Sequence, residues 1–165
     1  MDAADGLYVL GGVTEIGIIA DTHGELHPGI PEAFKGVDLI LHAGDVGGDH
    51  VLKALRTLAP TMVVEGNNDP PGLYGQAVEF LVNDLRIHMS HGHERGWWPT
   101  AEWMAGKYTD CDVIVFGHTH KKVSTMVGQT MVINPGAAKN PRPSVARLNV
   151  VTRALVMITL PKVPA

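Results

Sequence analysis

Five short apolar runs, each ending in a polar turn with metal-binding side chains, constrain the fold of this chain more than any other feature. The runs are rich in Val and Ile and bounded by Gly, Asp or Pro, as buried strands are, and they occupy 16–20, 39–43, 62–65, 87–90 and 113–116. The turns after them are Asp21-Thr22-His23, Gly44-Asp45, Gly66-Asn67-Asn68-Asp69, His91-Gly92-His93 and Gly117-His118-Thr119-His120. Because open α/β folds usually place their chemistry where strands end, we expect seven ligands from these five segments to converge on one crevice.

Strand and helix patterns alternate through the first two thirds of the chain. A strand at about 14–20 precedes a short helix near 28–35, and a strand at 38–43 precedes a helix that begins with Asp49 as its N-cap and continues to Leu58. This order predicts βαβ units with parallel strand pairing.

The remaining elements predict hairpins and one more helix. Asn83-Asp84 is a two-residue turn that favours a hairpin between its flanking strands, and Pro99 is suited to the first position of a helix that reaches Tyr108. After His120 the pattern predicts an antiparallel meander, giving two sheets between helices, from strands at 123–127, 130–134, 144–150 and 154–160.

The length and composition predict one domain. With 165 residues and 45% hydrophobic content, the chain has enough apolar side chains for a single substantial core. We assign residues 14–160 to this domain. Residues 1–13 are either an added edge strand or a disordered leader, and 161–165 form a tail.

Charge and cysteine content exclude several classes of protein. The formal charge is −4 without an evident basic cluster, which argues against an extended nucleic-acid surface. The single cysteine, Cys111, excludes an internal disulfide, and its acidic neighbours favour a buried inert thiol.

No apolar stretch approaches the ~20 residues of a membrane span, and the first residues carry acids where a secretory signal needs bases. We therefore expect a cytoplasmic enzyme without membrane contact.

The side chains of the five turns suit transition metals. Imidazole nitrogens mixed with carboxylate and amide oxygens favour manganese, iron, cobalt, nickel or zinc over calcium. Seven ligands exceed one tetrahedral site, so we expect two ions ~3.5–4 Å apart that share a carboxylate. A water that bridges such ions has its pKa lowered from ~15.7 towards neutrality, which fits hydrolysis of phosphate esters best.

The five motifs, in this order and after strands, resemble those of the calcineurin-like metallophosphoesterases. The length and Ile133-Asn134-Pro135-Gly136 are similar to the small single-domain YfcE-like phosphodiesterase branch, and the resemblance extends over about 14–160. It implies a four-layer α-β-β-α sandwich, the metallo-dependent phosphatase fold. It also implies two divalent ions, with manganese favoured. The implied ligands are Asp21, His23 and His120 for the first metal, Asn67, His91 and His118 for the second, and Asp45 as the bridge.

Three further residues are candidates for catalysis. Asn68 stands where many members of the superfamily have a histidine, and an amide can donate a hydrogen bond but cannot supply a proton near neutral pH. Esters with good leaving groups should therefore react more easily, unless His93 or a metal-bound water acts as the acid. Asp69 either takes part directly or, as we favour, orients a ligand or caps its loop.

Other conspicuous side chains have structural interpretations. We expect His42 to be buried or to support a ligand. Three histidines are expected on the surface or in packing contacts: His27, His50 and His88. The aromatic cluster either packs, forms a dimer contact or lines the substrate site, and it consists of Trp97, Trp98 and Trp103. Arg95 and Arg142 lie in predicted loops, where they are either solvated or pair with phosphate oxygens.

Two function classes remain open from the sequence. The favoured one is a dinuclear metal-dependent phosphoesterase acting on a small phosphate ester, with diesters or activated esters preferred. The alternative is a metal-binding protein-interaction scaffold of the same fold, as in the retromer sorting subunit that resembles this family. All seven ligand positions hold competent side chains, which favours the enzyme.

Overall fold

Twelve strands form two sheets in the computed structural model, which describes residues 2–4 and 7–163. In chain order the strands are β1 (Asp2–Ala4), β2 (Leu7–Leu10), β3 (Glu15–Ile19), β4 (Leu39–His42), β5 (Thr61–Val63), β6 (Ala77–Val82), β7 (Leu85–Ser90), β8 (Val113–Val115), β9 (Lys122–Val127), β10 (Thr130–Pro135), β11 (Ser144–Asn149) and β12 (Leu155–Thr159). One sheet has the order β1-β2-β6-β7-β8-β10-β9, and the other has the order β12-β11-β3-β4-β5. Met1, Asp5 and Gly6 of the predicted leader and residues 164–165 of the predicted tail lie outside the described residues.

Three α-helices accompany the sheets: α1 (Ile30–Ala33), α2 (Asp49–Arg56) and α3 (Ala101–Lys107). A 3-10 turn at His93–Arg95 follows β7. None of the helices in the described part of the chain is long and apolar enough to cross a membrane.

Both predicted helix starts are displaced by one or two residues. Gly48 is the N-cap of α2, so Asp49 is the first helical residue, where its carboxylate pairs with Lys53 at 3.2 Å. Thr100 caps α3, because its hydroxyl oxygen accepts a hydrogen bond from the backbone N–H of Trp103 at 3.1 Å. The prediction of Pro99 at the first helical position was therefore wrong, since Pro99 precedes the cap.

Side chains on adjacent strand positions face different layers. Ile16 and Ile18 of β3 pack between the two sheets, whereas Ile19 packs under the helices on the outer face of the five-stranded sheet. On β8, Val113 and Val115 face the other sheet, and Ile114 faces α3. This alternation gives each sheet two apolar faces, so each must be covered on both sides.

The helices cover the outer faces. Phe34 after α1 and Leu55 of α2 pack on the five-stranded sheet, while Met104 of α3 packs on the seven-stranded sheet. Cys111 is buried beneath α3, and burial raises the pKa of its thiol to about 11, as expected for an inert cysteine. The result is the four-layer α-β-β-α sandwich that the family resemblance implied.

Strand pairing agrees with the sequence pattern except near the end of the chain. β3, β4 and β5 pair in parallel, and β6 and β7 form the predicted hairpin. The last four strands do not form one meander: β9 and β10 join the seven-stranded sheet, whereas β11 and β12 join the five-stranded sheet. The segment 136–143 crosses between the sheets because β10 pairs in parallel with β8 and β11 pairs with β3.

Candidate metal centre

Strand ends from both sheets meet at the candidate site. Asp21 follows β3 and Asp45 follows β4, and the backbone N–H of Asp21 donates to the carbonyl oxygen of Gly44 at 3.0 Å. His91 follows β7 in the other sheet, and the turn that carries His120 follows β8. The predicted ligands therefore converge at an edge that the two sheets share.

Two carboxylates and three histidines form the centre. The Oδ1 atom of Asp21 lies 3.5 Å from Nε2 of His120, 3.7 Å from Nε2 of His91 and 3.9 Å from Nε2 of His23. The Oδ2 atom of Asp45 lies 3.3 Å from Nε2 of His91 and 3.5 Å from Nε2 of His23. Two overlapping triads result, Asp21-His23-His120 and Asp21-Asp45-His91, in each of which the ligand atoms lie within 4.8 Å of one another.

Two buried atoms of this centre have no hydrogen-bond partner. They are Oδ1 of Asp21 and Nε2 of His91. Nδ1 of His91 lies 2.7 Å from the carbonyl oxygen of Ala43, to which it donates a proton, so in the neutral ring Nε2 carries a lone pair. A buried lone pair that faces carboxylate oxygens without a proton between them is costly unless a cation lies there. The donor set therefore fits a metal ion, and the hydrogen bond from Nδ1 to Ala43 fixes the tautomer of His91.

The electrostatics of the site favour positive charge. Burial acts to lower the pKa of His91, but the carboxylates of Asp45 and Asp21 outweigh it and raise that pKa above its ordinary value. Burial acts to raise the pKa of Asp45, yet its contacts with His91 and Asn68 hold that pKa below the ordinary range. The raised pKa of His91 shows a negative potential at its ring, and the lowered pKa of Asp45 keeps its carboxylate ionised, so both favour a bound cation.

The ligand turns have an unusual backbone. Five predicted ligands have positive φ angles: Asp21 (53°), His23 (48°), Asp45 (56°), His118 (71°) and His120 (60°). Non-glycine residues rarely adopt this conformation, which costs of the order of 1 kcal/mol each, and it persists only where the surroundings enforce it. These turns are thus held in shape so that the side chains face one point.

Asp69 holds the turn that carries Asp45. Its Oδ2 atom accepts hydrogen bonds from the backbone N–H groups of Asp45 at 2.9 Å and Gly66 at 2.8 Å. Its Oδ1 atom accepts from those of Val46 at 2.9 Å and Gly47 at 3.3 Å. This side chain is buried, and four backbone donors occupy its oxygens, so the geometry gives it a positioning role.

Asn68 holds the carboxylate of Asp45 itself. The backbone N–H of Asn68 donates to Oδ1 of Asp45 at 2.9 Å, and its amide nitrogen donates to Oδ2 at 2.9 Å. An amide nitrogen has two protons, so one remains for another acceptor. Asn68 is exposed on the rim of the site.

The other predicted site residues lie on the same edge at different depths. The ring of His118 lies 5.2 Å from that of His91, and its backbone N–H donates to Oδ2 of Asp21 at 3.0 Å. His93 lies 5.3 Å from His91 between ring centroids, and its buried Nδ1 atom has no partner. Asn67 is exposed in the same turn as Asn68. The structure therefore gathers five of the seven predicted ligands tightly and places His118 beside them and Asn67 on the rim.

Comparison with known proteins identifies the family of the chain. Residues 15–155 match the family model described as the calcineurin-like phosphoesterase superfamily domain. The chain belongs to the calcineurin-like phosphoesterase superfamily. A probable metallophosphoesterase of Methanocaldococcus jannaschii is 34% identical over 144 residues, which are 82% of this chain and 73% of that protein.

Solved structures show the same fold. An archaeal phosphodiesterase superposes with a TM-score of 0.75 at 28% identity, covering 88% of this chain and 99% of that chain. Vps29 from Entamoeba histolytica, solved with zinc, superposes with a TM-score of 0.71 at 24% identity, covering 88% of this chain and 98% of that chain. The second likeness concerns the fold alone. The family that the five motifs predicted is therefore confirmed. Membership in it supports a phosphoesterase, and the structure contains candidate metal ligands.

His42 lies behind the candidate metal centre and supports its turns. It is fully buried, and burial lowers the pKa of its imidazole to about 4, so the ring is neutral. Its Nδ1 atom accepts from the backbone N–H of Gly44 at 3.2 Å, and its Nε2 atom donates to the hydroxyl oxygen of Thr22 at 3.0 Å. Thr22 donates in turn to the carbonyl oxygen of Val46 at 2.7 Å. This buried supporting role is the one that the sequence predicted.

The three histidines predicted to be non-functional make local contacts. Nδ1 of His27 accepts from the backbone N–H of Gly29 at 2.9 Å, and Nε2 of His50 lies 2.8 Å from the carbonyl oxygen of Gly24. His88 stacks on Tyr108 with ring centroids 3.6 Å apart. None of these contacts involves a predicted metal ligand.

Sequence reasoning missed the supporting roles of Thr22 and Asn134. The amide nitrogen of Asn134, which is fully buried, donates to the carbonyl oxygen of Gly117 at 2.9 Å and to the hydroxyl oxygen of Thr119 at 3.1 Å. Asn134 thereby fixes the turn that carries His118. The available signal was the polar residue inside an otherwise apolar strand, which needs a partner when it is buried.

Aromatic side chains lie on one rim of the centre. The ring of Trp98 meets that of His118 edge-on with centroids 5.5 Å apart, and it is 54% exposed. Trp97 is 73% exposed. The guanidinium of Arg95 lies 5.7 Å from the ring of Trp103 and donates to the carbonyl oxygen of Trp98 at 2.8 Å. Arg95 thus braces this loop.

Proposed function

We propose that this protein hydrolyses phosphodiesters or activated phosphate esters with two divalent transition-metal ions. The observation that carries the proposal is the pair of buried atoms without partners, Oδ1 of Asp21 and Nε2 of His91, within a cluster of carboxylates and imidazoles. Such a donor set in a member of a phosphoesterase family is suited to metal-assisted hydrolysis.

The proposed ligand assignment has one carboxylate between two ions. Asp21, His23 and His120 hold the first ion, and Asp45 bridges. The position of Oδ2 of Asp45, 3.5 Å from His23 and 3.3 Å from His91, supports this role. The second ion is held by His91, His118 and Asn67. We favour manganese, as the family resemblance implies, although the mixed oxygen and nitrogen set without a thiolate also suits nickel, cobalt, iron and zinc.

When bound, the ions supply an activated water and neutralise charge on the phosphoryl oxygens. The chain supplies the orientation: Asn68 fixes the carboxylate of Asp45, and Asp69 fixes the turn beneath it. The free amide proton of Asn68 is placed to donate a hydrogen bond to a phosphoryl oxygen. Neither of these residues protonates a leaving group, so aryl esters, whose leaving groups need no proton, should be the better substrates.

His93 is the proposed proton donor for other leaving groups. Its ring lies 5.3 Å from His91 and 6.4 Å from His118 between centroids, and its Nδ1 atom lacks a partner in the described structure. Trp98, on the same rim, offers an apolar face for one ester group of a diester. The apolar face of Trp98 favours a small diester over a monoester, because a monoester has no second ester group to place there.

A protein-interaction scaffold is the second candidate. The 73% exposure of Trp97 favours it, since a large exposed aromatic side chain often marks a contact surface. A scaffold would bind its partner without hydrolysing any ester, whereas an enzyme would hydrolyse its substrate.

Hydrolysis assays separate the two. Purified protein should hydrolyse bis(p-nitrophenyl) phosphate in the presence of manganese, and more slowly p-nitrophenyl phosphate. Nickel, cobalt and zinc are compared in parallel, and a chelator should abolish turnover. Bound metal without turnover of either ester would refute the proposed activity and favour the scaffold.

A further inference from the structure

A cavity opens beside the metal centre. Its volume is about 330 Å³, and it is lined by His120, Lys121, Lys122, Arg142 and Ser144. His120 belongs to both sites, because its Nε2 atom lies 3.5 Å from Oδ1 of Asp21. A group bound in this cavity therefore adjoins a phosphate held at the metal centre.

Three cations line the cavity: Lys121, Lys122 and Arg142. Within the described part of the chain, no carboxylate oxygen lies within 4.0 Å of a side-chain nitrogen of any of the three. In a chain with net charge −4 and 13 lysines and arginines, this uncompensated group is a local positive field that attracts anions.

The cations of the cavity are its hydrogen-bond donors towards a ligand. The ammonium of Lys122 uses one proton on the hydroxyl oxygen of Thr159 at 2.8 Å and keeps two. The hydroxyl of Ser144 donates to the carbonyl oxygen of Pro135 at 2.6 Å, so it offers no proton to a ligand. Recognition therefore falls to the lysines and to Arg142, whose planar fork matches two oxygens of a phosphate.

The backbone around these cations is fixed. The N–H of Ser144 donates to the carbonyl oxygen of Ala137 at 3.0 Å, which closes the loop that carries Arg142. Pro143 follows Arg142 and restricts its backbone. In the other lining segment, the N–H of Lys121 donates to the hydroxyl oxygen of Thr119 at 3.2 Å. Binding an anion thus orders only side chains, which limits its entropic cost.

We propose that this cavity is an anion subsite that binds a second phosphate group of the substrate while the metal centre holds the phosphate that is hydrolysed. The proposal rests on the phosphoesterase function above. Its chemistry suits a small molecule with two phosphates and also the next phosphate along a short oligonucleotide.

Matched substrates test the subsite kinetically. The p-nitrophenyl ester of thymidine 5′-phosphate is compared with the same ester carrying a 3′-phosphate, so that the leaving group is identical. We expect kcat/KM to be about tenfold higher for the 3′-phosphorylated ester, through KM, and this ratio to approach one in Arg142→Gln. A wild-type ratio of one, or a ratio retained in Arg142→Gln, would overturn the proposal.

A third substrate distinguishes the two sources of the second phosphate. It is the same p-nitrophenyl ester at the 5′ end of a dithymidine with an internucleotide phosphate and no 3′-phosphate. A gain only with the 3′-phosphate indicates a doubly phosphorylated small molecule, whereas an equal gain with the dithymidine ester indicates a short oligonucleotide.

Binding to the metal-free protein gives a readout that needs no turnover. Thymidine 3′,5′-bisphosphate is titrated into protein in chelator by calorimetry, with wild type, Arg142→Gln and Arg153→Gln. Arg153 is an exposed matched control, since it lies in the turn at the other end of β11 from Ser144. Binding should weaken about tenfold in Arg142→Gln and stay unchanged in Arg153→Gln.

The two experiments separate the subsite from the activity. If neither ester is hydrolysed with any metal, the proposed function fails, and the titration still decides the subsite. Absence of binding, or equal binding by wild type and Arg142→Gln, would refute the subsite even in an active enzyme. Thermal melting of each variant checks that it is folded.

Discussion

Replacing Asp69 with asparagine tests how the turn that carries Asp45 is held. Each carboxylate oxygen of Asp69 accepts from two backbone N–H groups at 2.8 to 3.3 Å. In Asp69→Asn one of these oxygens becomes an NH₂ group, which cannot accept. Whichever way the amide is turned, two backbone donors lose their acceptor and face another donor.

The size of the effect follows from this count. A hydrogen bond to a charged acceptor contributes about 1.5–3 kcal/mol, so two of them contribute about 3–6 kcal/mol in this buried position. Since a domain of this size loses about 2–4 °C in Tm per kcal/mol, we expect Tm to fall by at least about 6 °C. That is a large part of a total stability of about 5–15 kcal/mol.

Urea denaturation in the presence of chelator measures this effect without any contribution from metal binding. The matched control is Asp84→Asn in the exposed turn between β6 and β7. This variant should have the same urea midpoint as the wild type. Asp69→Asn should also bind metal more weakly, because Asp45 is no longer oriented. Equal urea midpoints for Asp69→Asn, Asp84→Asn and wild type would refute the positioning role.

Four further variants test other parts of the site. Asp45→Asn should remove both ions and lower turnover by more than about a hundredfold, because even substitutions of residues that hydrogen-bond to metal ligands lower activity by up to about a hundredfold. Retained activity, with two bound ions detected by mass spectrometry, would disprove the bridging role of Asp45. His50→Ala is its control, and a large loss of rate or metal there would show that the site is misassigned. Asn68→His should raise turnover of alkyl esters relative to aryl esters, and an unchanged ratio would place leaving-group protonation elsewhere. The pKa of His42 is lowered from 6.5 to about 4, so its contribution to stability is complete above pH 6.5 and is lost as the pH falls towards 4. Between pH 7 and pH 5 this group should lower the free energy of unfolding by about 2 kcal/mol, and a His42→Gln variant with the same pH dependence as wild type in chelator would contradict that.

Much of the fold could be predicted because local patterns determined it. Val-rich and Ile-rich runs bounded by Gly and Asp located the strands, and Asn83-Asp84 located a hairpin that the structure confirms. The division of the last four strands between two sheets could not be predicted. A hairpin has the same alternation in either sheet, and only the pairing of β10 with β8 and of β11 with β3 decides which sheet it joins.

The candidate site was predictable to the level of side-chain chemistry. Histidines and aspartates after strands could be recognised because their donor atoms are visible in the residue type. The contacts of Asp69 with four backbone N–H groups could not be recognised, because backbone donors leave no mark in a sequence. The basic cavity was missed for a similar reason: Arg142 is distant from Lys121 along the chain, and the crossover between the sheets brings them together.

The most direct test of the dinuclear centre is anomalous diffraction from a crystal of the protein with manganese. We expect two anomalous peaks, one on each side of the carboxylate of Asp45, with His23 beside one and His91 beside the other. A single peak, or two peaks that do not share Asp45, would contradict this expectation.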